Sequence, residues 1–336
     1  MQPEISLRRR ALLLLAALGL IAPGAAAQAA GPVQAVASFS ILGDMVREVG
    51  GPDVRVSVLV GPDGDAHEYE PTPGDARKLA AAQLLFVNGL EFEAWLPGLV
   101  TSSGFKGRTV VAAQGVAPRK FKAGESHGDH GHDHGHDHDH DHNHDHGDGH
   151  GDAHGHAHRH GDVDPHAWQN LANGVIYVRN IAEGLAAADP AHADAYRQRA
   201  QAYAARLQAL DASLRKTFAA IPAERRKVVT SHDAFGYFGD AYGVSFLPVA
   251  GISTDAEPSA GDVARIIEQV RREKVPAVFV ENISSPRLVQ QIARETGAKV
   301  GGTLYSDALS KPGQPAATYL EMFEWNARQL AAAMRP

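Results

Sequence analysis

The chain has 336 residues, 44% of them hydrophobic, with a formal net charge of −7 and no cysteine. That length accommodates two lobes of ordinary size, and the mild acidity offers no basic footprint for nucleic acid. Without thiols there are no disulfides and no thiolate metal sites, so any metal centre must use histidine and carboxylates.

Residues 1–29 read as a secretory signal peptide. Arg8, Arg9 and Arg10 form a positive start, Ala11 to Ile21 a short apolar core, and Ala25-Ala26-Ala27 or Ala27-Gln28-Ala29 a cleavage site. The core is shorter than the ~20 residues a membrane span needs. The paired arginines also suggest a twin-arginine route, although the rest of that signal is weak. With no cysteine to carry lipid, the expected product is a periplasmic protein that is not lipid-anchored.

Residues 30–117 alternate strand and helix signals. Val33 to Phe39 is a strand, Ile41 to Val49 a helix, and Val54 to Val60 a β-branched strand stopped by Gly61-Pro62-Asp63-Gly64. Pro73 to Ala82 is a helix, Leu84 to Val87 and Arg108 to Ala113 strands. Short apolar strands separated by helices predict a parallel sheet covered on both faces.

Residues 118–162 break this pattern. Fifteen of the nineteen histidines lie between His127 and His160, and from His130 to His146 every second residue is histidine. The tract comprises His127, His130, His132, His134, His136, His138, His140, His142, His144, His146, His150, His154, His156, His158 and His160, mixed with Asp and Gly. Imidazole is mostly neutral at pH 7 and suits borderline divalent metals, zinc foremost. A purification tag is usually terminal and uninterrupted, unlike this internal mixture. With few apolar residues the segment is expected to be disordered without metal.

Residues 163–188 complete the first lobe, with a helix over Ala167 to Ala187. Residues 189–221 carry a long helix from Ala191 to Phe218, rich in Ala, Leu, Arg and Gln. At about 1.5 Å per residue it is long enough to form a backbone between lobes. Residues 222–336 repeat the alternation: strands at Lys227 to His232, Val244 to Val249, Ala277 to Asn282 and Lys299 to Tyr305, and a closing helix over Thr318 to Met334. The expected fold is α/β, two Rossmann-like lobes with parallel sheets joined by a long backbone helix.

Four histidines lie outside the tract: His67, His166, His192 and His232. His192, in the long helix, reads as a surface residue. The other three sit where strands or the insert give way to loops, the places where open α/β folds gather ligands. Each alone is as readily a hydrogen-bonded loop histidine; together, in a chain with a metal-binding tract, they suggest a shared site.

The segments SFSILGDMVREVGG, LVGPDGDAHEYEPTPGD, NGLEFEAW, DPHAW, SHDAFGYF, GISTDAEPS and GTLYSDALS, with the histidine-rich insert between the third and fourth, carry a resemblance over nearly the whole mature chain. The sequence resembles the metal-binding solute-binding proteins of ABC importers, the ZnuA/TroA-like zinc group of the cluster A-I family. The resemblance implies metal ligands at His67, His166, His232 and Asp307, two from each lobe, in the inter-lobe cleft. Manganese relatives generally carry Glu where this chain has His232. Some zinc relatives have Glu just before the first histidine; here Ala66 stands there and Asp65 one further back. That departure favours Asp307 over water as fourth ligand. Asp164, Asp233 and, more weakly, Glu281 are candidates for orienting the imidazoles.

The implied function is high-affinity Zn²⁺ capture for a membrane permease, with one tight site and several weaker ones in the tract. A periplasmic metallochaperone is a further candidate partner, and a monomer is expected. Two other functions stay open. A zinc hydrolase would need an open coordination position and a general base; no H-E-x-x-H is present. A storage or sequestration protein would make the tract its main site, and a manganese receptor is the alternative within the family.

Overall fold

A computed structural model describes residues 31–121, 162–251 and 258–335. The leader, the histidine tract and part of GISTDAEPS lie outside the described residues.

Two four-stranded sheets form, each entirely parallel. The first has the order β2-β1-β3-β4, from β1 (Val33–Phe39), β2 (Val54–Val60), β3 (Leu84–Val87) and β4 (Arg108–Val111). Its register pairs Val33 with Val54 and Ala35 with Leu84. The second has the order β6-β5-β7-β8, from β5 (Lys227–Thr230), β6 (Ser245–Pro248), β7 (Ala277–Val278) and β8 (Lys299–Val300). Parallel strands need crossovers, and these are helical: α1 (Ser40–Gly50), α2 (Pro73–Ala80), α3 (Leu96–Ser103), α6 (Gly236–Tyr242), α7 (Ala260–Glu273) and α8 (Arg287–Thr296).

Side-chain alternation assigns each face. In β1, Ala35, Ala37 and Phe39 enter a large core that also holds Trp168, Tyr177, Val228, Ala277, Tyr319 and Phe323, so it runs continuously between the two sheets. Val36 points the other way, packing with Leu59, Leu79, Leu85 and Leu99 beneath α2 and α3. In the second sheet Val229 and Val278 face α7 and α8 with Ile266, Ile267 and Ile292. Burial on both faces explains the unbroken apolar run of β3.

The long helix α5 (Ala193–Ala219) follows α4 (Leu171–Ala188) and buries Tyr196, Ala200, Tyr203, Leu207, Leu214 and Phe218 along one stripe. Near its start Arg199 donates to the carbonyls of Val49 and Gly50 at the end of α1 (2.7 and 2.8 Å). Near its end Phe218 packs on Phe238 and Tyr242 of α6. The helix therefore braces structure belonging to each sheet. The closing helix α9 (Tyr319–Met334) starts with a capping box between Thr318 and Glu321.

Several boundaries differ from the sequence expectations. The helix expected over Ala167 to Ala187 is a 3₁₀ turn, Ala167–Gln169, then α4, because the Asn170 side chain caps Ala172 N–H and starts a new helix there. His192 precedes α5 and its ring contacts Asp189 at 2.7 Å. α3 and α6 carry no strong sequence signal: both are short, and each contains glycine.

The described residues on either side of the insert meet each other. Lys120 bridges Val163 in antiparallel fashion, Phe121 N–H donates to Asp162 O (3.2 Å), and Asp164 N–H donates to Arg119 O (2.9 Å). No helix among the described residues is long and apolar enough to cross a membrane.

Candidate metal centre

His67 lies in the loop after β2, His166 just before the 3₁₀ turn that leads to α4, His232 just after β5, and Asp307 in the loop between β8 and α9. His67 and His232 thus follow carboxyl ends of strands in different sheets, where parallel folds collect ligands. All four side chains are buried. One ligand atom from each lies within 4.8 Å of every other.

The local sequence explains each placement. The His67 backbone N–H donates to Asp65 Oδ1 (2.8 Å), and the Trp95 indole N–H donates to Ala66 O (2.8 Å), pinning that loop. Asp65 thus shapes the turn. In the loop NGLEFEAW, Leu90 and Glu91 both adopt positive φ, 54° and 62°, a costly conformation for such residues. The turn sets Phe92 edge-on to His67, centroids 4.9 Å apart. Glu93 accepts from Ser38 Oγ and Asn88 N–H, both at 2.6 Å, and burial raises its carboxyl above the usual range even so. Asn88 donates on to Pro165 O (2.9 Å), next to His166.

The distances suit a small cation. His67 Nε2 lies 3.2 Å from His166 Nε2 and 3.4 Å from Asp307 Oδ2. His166 Nε2 is 3.6 Å from Asp307 Oδ1, and His232 Nε2 is 2.8 Å from Asp307 Oδ2. A tetrahedral zinc site with ligands at about 2.0–2.1 Å has edges of about 3.3 Å, and the four distances scatter around that value. Both Asp307 oxygens are buried and face the Nε2 atoms of His67, His166 and His232 at 2.8–3.6 Å. A carboxylate so placed calls for a cation.

The surroundings orient the rings. His166 Nδ1 lies 2.8 Å from Asp164 Oδ1, which also accepts the His166 backbone N–H at 3.0 Å. A carboxylate can only accept, so the Nδ1 proton faces it and Nε2 faces the site. His232 has Glu281 Oε2 at 2.6 Å from Nδ1, and its backbone N–H donates to Glu281 Oε1 (3.0 Å). Burial disfavours a charged His232, but the carboxylates of Glu281 and Asp307 outweigh it and raise its pKa well above the ordinary value. Burial also opposes charge on Asp307, yet His232 and His166 hold its carboxyl well below the usual range. His67 is shifted down, chiefly by burial. Asp164 and Glu281 thus sit against the His166 and His232 rings. Asp233 instead lines a small cavity of about 260 Å³ with Arg119, Asp240 and Phe246.

Three residues with roles here escaped the sequence reading. Trp168 Nε1 and Gln169 Nε2 both donate to Ser306 O, at 2.9 and 2.6 Å, tying the His166 segment to the peptide that precedes Asp307. Arg119 donates to Asp164 Oδ2 at 3.2 Å. Trp168 stands in DPHAW, so its signal was in view; Arg119 had none.

Comparison with known proteins places the chain in a family. The profile of the family described as zinc-uptake complex component A, periplasmic (ZnuA), matches residues 35–333. The iron-binding protein YfeA of Yersinia pestis is 32% identical over 88% of this chain and 84% of its own. The manganese ABC transporter substrate-binding lipoprotein PsaA of Streptococcus pneumoniae is 29% identical over 90% of this chain and 89% of its own. Among solved structures, the periplasmic zinc-binding protein TroA of Treponema pallidum superposes with a TM-score of 0.76 at 27% identity, covering 91% of this chain and all of that one.

Proposed function

Because the chain belongs to the ZnuA family of metal-uptake components, we propose that it captures Zn²⁺ at His67, His166, His232 and Asp307 and delivers it to the membrane permease of an ABC importer. The observation that carries this reading is the buried set of three imidazole nitrogens and one carboxylate whose ligand atoms all lie within 4.8 Å of one another. Four protein ligands leave no open position for a hydrolytic water, which favours cargo binding over catalysis. The site's net charge with Zn²⁺ is +1, and the donors are mostly borderline nitrogen, matching zinc better than the harder Mn²⁺.

A second reading, manganese or iron as cargo, is favoured by the names of the Yersinia and Streptococcus relatives. Titration of chelator-stripped protein decides between them. One tight zinc equivalent, not displaced by equimolar Mn²⁺, is expected; displacement would overturn the zinc assignment. The proposed location is the periplasm. Several relatives are named lipoproteins, but this sequence has no cysteine to acylate. The tract serves as an auxiliary zinc collector in this reading.

A further inference from the structure

We infer that Arg119 is a positioning residue for the metal ligand His166, acting through Asp164. The inference rests on the functional reading above, since it assumes that His166 ligates the cargo. Asp164 is fully buried, and its two oxygens have separate tasks. Oδ1 takes the ring and backbone N–H groups of His166. Oδ2 takes the Arg119 guanidinium. A buried carboxylate needs a compensating charge, and a guanidinium N–H on Oδ2 opposite the His166 N–H groups on Oδ1 restrains the rotation of the Asp164 carboxylate. That restraint fixes the tilt of the His166 ring, and with it where Nε2 points.

Arg119 is itself anchored from the second sheet's side. Its Nε donates to Asp240 Oδ2 (3.0 Å) and its backbone N–H to Tyr237 OH (2.8 Å), both on α6. Gly236 opens the slot: a Cβ there would lie 2.4 Å from Arg119 Cζ and 2.6 Å from Asp164 Oδ2. Arg119 stands on the stretch entering the insert and Asp164 on the one leaving it, and their backbones are bonded to each other. The base of the insert, a ligand of the first half and a helix of the second thus meet at one side chain.

The test uses the full-length chain, Zn²⁺ with a competing chelator, and the visible absorption of Co²⁺ added at one equivalent. Arg119→Gln is expected to raise the tightest Kd by tenfold or more, in the range for loss of a ligand's supporting partner, and to change the Co²⁺ bands. A role in folding alone would lower the melting temperature without moving those bands. Arg119→Lys keeps the charge but cannot fork between Asp164 and Asp240. It is expected to leave Kd at least threefold raised, and it carries the test alone should Arg119→Gln not fold. Wild-type Kd and Co²⁺ bands in either variant overturn the inference. Absence of a tight site in the wild type would instead overturn the functional reading.

Discussion

The indole N–H of Trp168 donates 2.9 Å across the cleft to the carbonyl of Ser306. One partner is two residues past His166, the other one residue before Asp307. Together with Gln169, this bond joins ligands from the two sides of the site through the main chain as well as through cargo. The relative placement of His166 and Asp307 is therefore set before an ion arrives, which lowers the ordering cost of binding.

It follows that Trp168→Phe, which keeps an aromatic ring and removes one donor, should destabilise the protein by about 1 kcal/mol. The double change Trp168→Phe with Gln169→Leu leaves a buried carbonyl unpaired and should cost about 1–3 kcal/mol beyond that. Zinc affinity should fall with the double change more than with the single. Denaturant melts and chelator competition measure both. Unaltered zinc affinity in the double variant would show that Asp307 is held by other means.

How far the sequence reached can be judged from particular residues. β1, β2 and β3 match their expected bounds, β2 and β3 because their apolar runs end at the turn residues Gly61-Pro62 and Asn88-Gly89. In the second sheet the expected strand Ala277 to Asn282 forms a regular ladder only at Ala277 and Val278 and pairs again, as an isolated parallel bridge, between Glu281 and Leu304. The apolar character continues through Phe279 because that residue is buried in the main core; burial is visible in sequence, ladder membership is not. Convergence of His67, His166, His232 and Asp307 came from motif resemblance. Spacing alone could not place residues up to 240 positions apart. Arg119 was invisible because it meets Asp164 only after the chain has passed through the insert and closed on itself.

Zinc should stabilise the fold by linkage. The ligand set exists only in the native state, so an excess of 1,000 times Kd would add about 4 kcal/mol. The melting temperature should rise on zinc addition to the wild type, and the increment should collapse in His67→Ala. Comparing increments removes the packing cost of emptying a buried position. An equal rise in both proteins would place the stabilising ion elsewhere.

His232→Glu should relax the preference toward Mn²⁺, since it replaces a nitrogen donor by a second carboxylate. The structure adds a consequence. Glu281 and Asp307 flank position 232 at 2.6 and 2.8 Å, so the metal-free variant would crowd three carboxylates in one buried space. Its metal-free form should melt well below the wild type, with metal recovering much of the difference. Competition titration and paired melts test this; a variant that still rejects Mn²⁺ as the wild type does would count against it.

Asp44 should impose a pH dependence away from the metal. Its side chain, on α1, accepts Tyr319 N–H at the start of α9 (2.8 Å). Burial nevertheless pushes its pKa up to about 6, with Glu48 adding to the rise. The unfolded value is near 3.9, so between pH 4 and 6 the folded state holds more protons than the unfolded one. From this group, stability falls as pH rises through that window, by about 3 kcal/mol in all. Asp44→Asn keeps an acceptor for Tyr319 and cannot ionise. The stability difference, variant minus wild type, should therefore grow from pH 4 to pH 7. A difference independent of pH would show that Asp44 does not titrate in this window.

The tract should add weaker zinc sites and be dispensable for the tight one. Its histidines must be gathered around each ion at an entropic cost, whereas the four cleft side chains are held by two sheets and their loops. The closure at Lys120 and Val163 gives the experiment a defined form. The chain already returns to itself there, so a short glycine-containing turn can replace Ser126 to Gly161 without moving Arg119 or Asp164. The shortened protein should bind several fewer zinc ions and keep its tightest Kd within about threefold. In the full-length chain, acidification toward pH 5 should release tract-bound zinc, because imidazoles with pKa near 6.5 must be neutral to bind. Effective concentration near the cleft should also fall without the tract, so slower zinc uptake is expected when the ion is scarce and no difference when it is abundant. Loss of the tightest site on deletion would reverse this ordering and make the tract the principal site, the property of a storage protein.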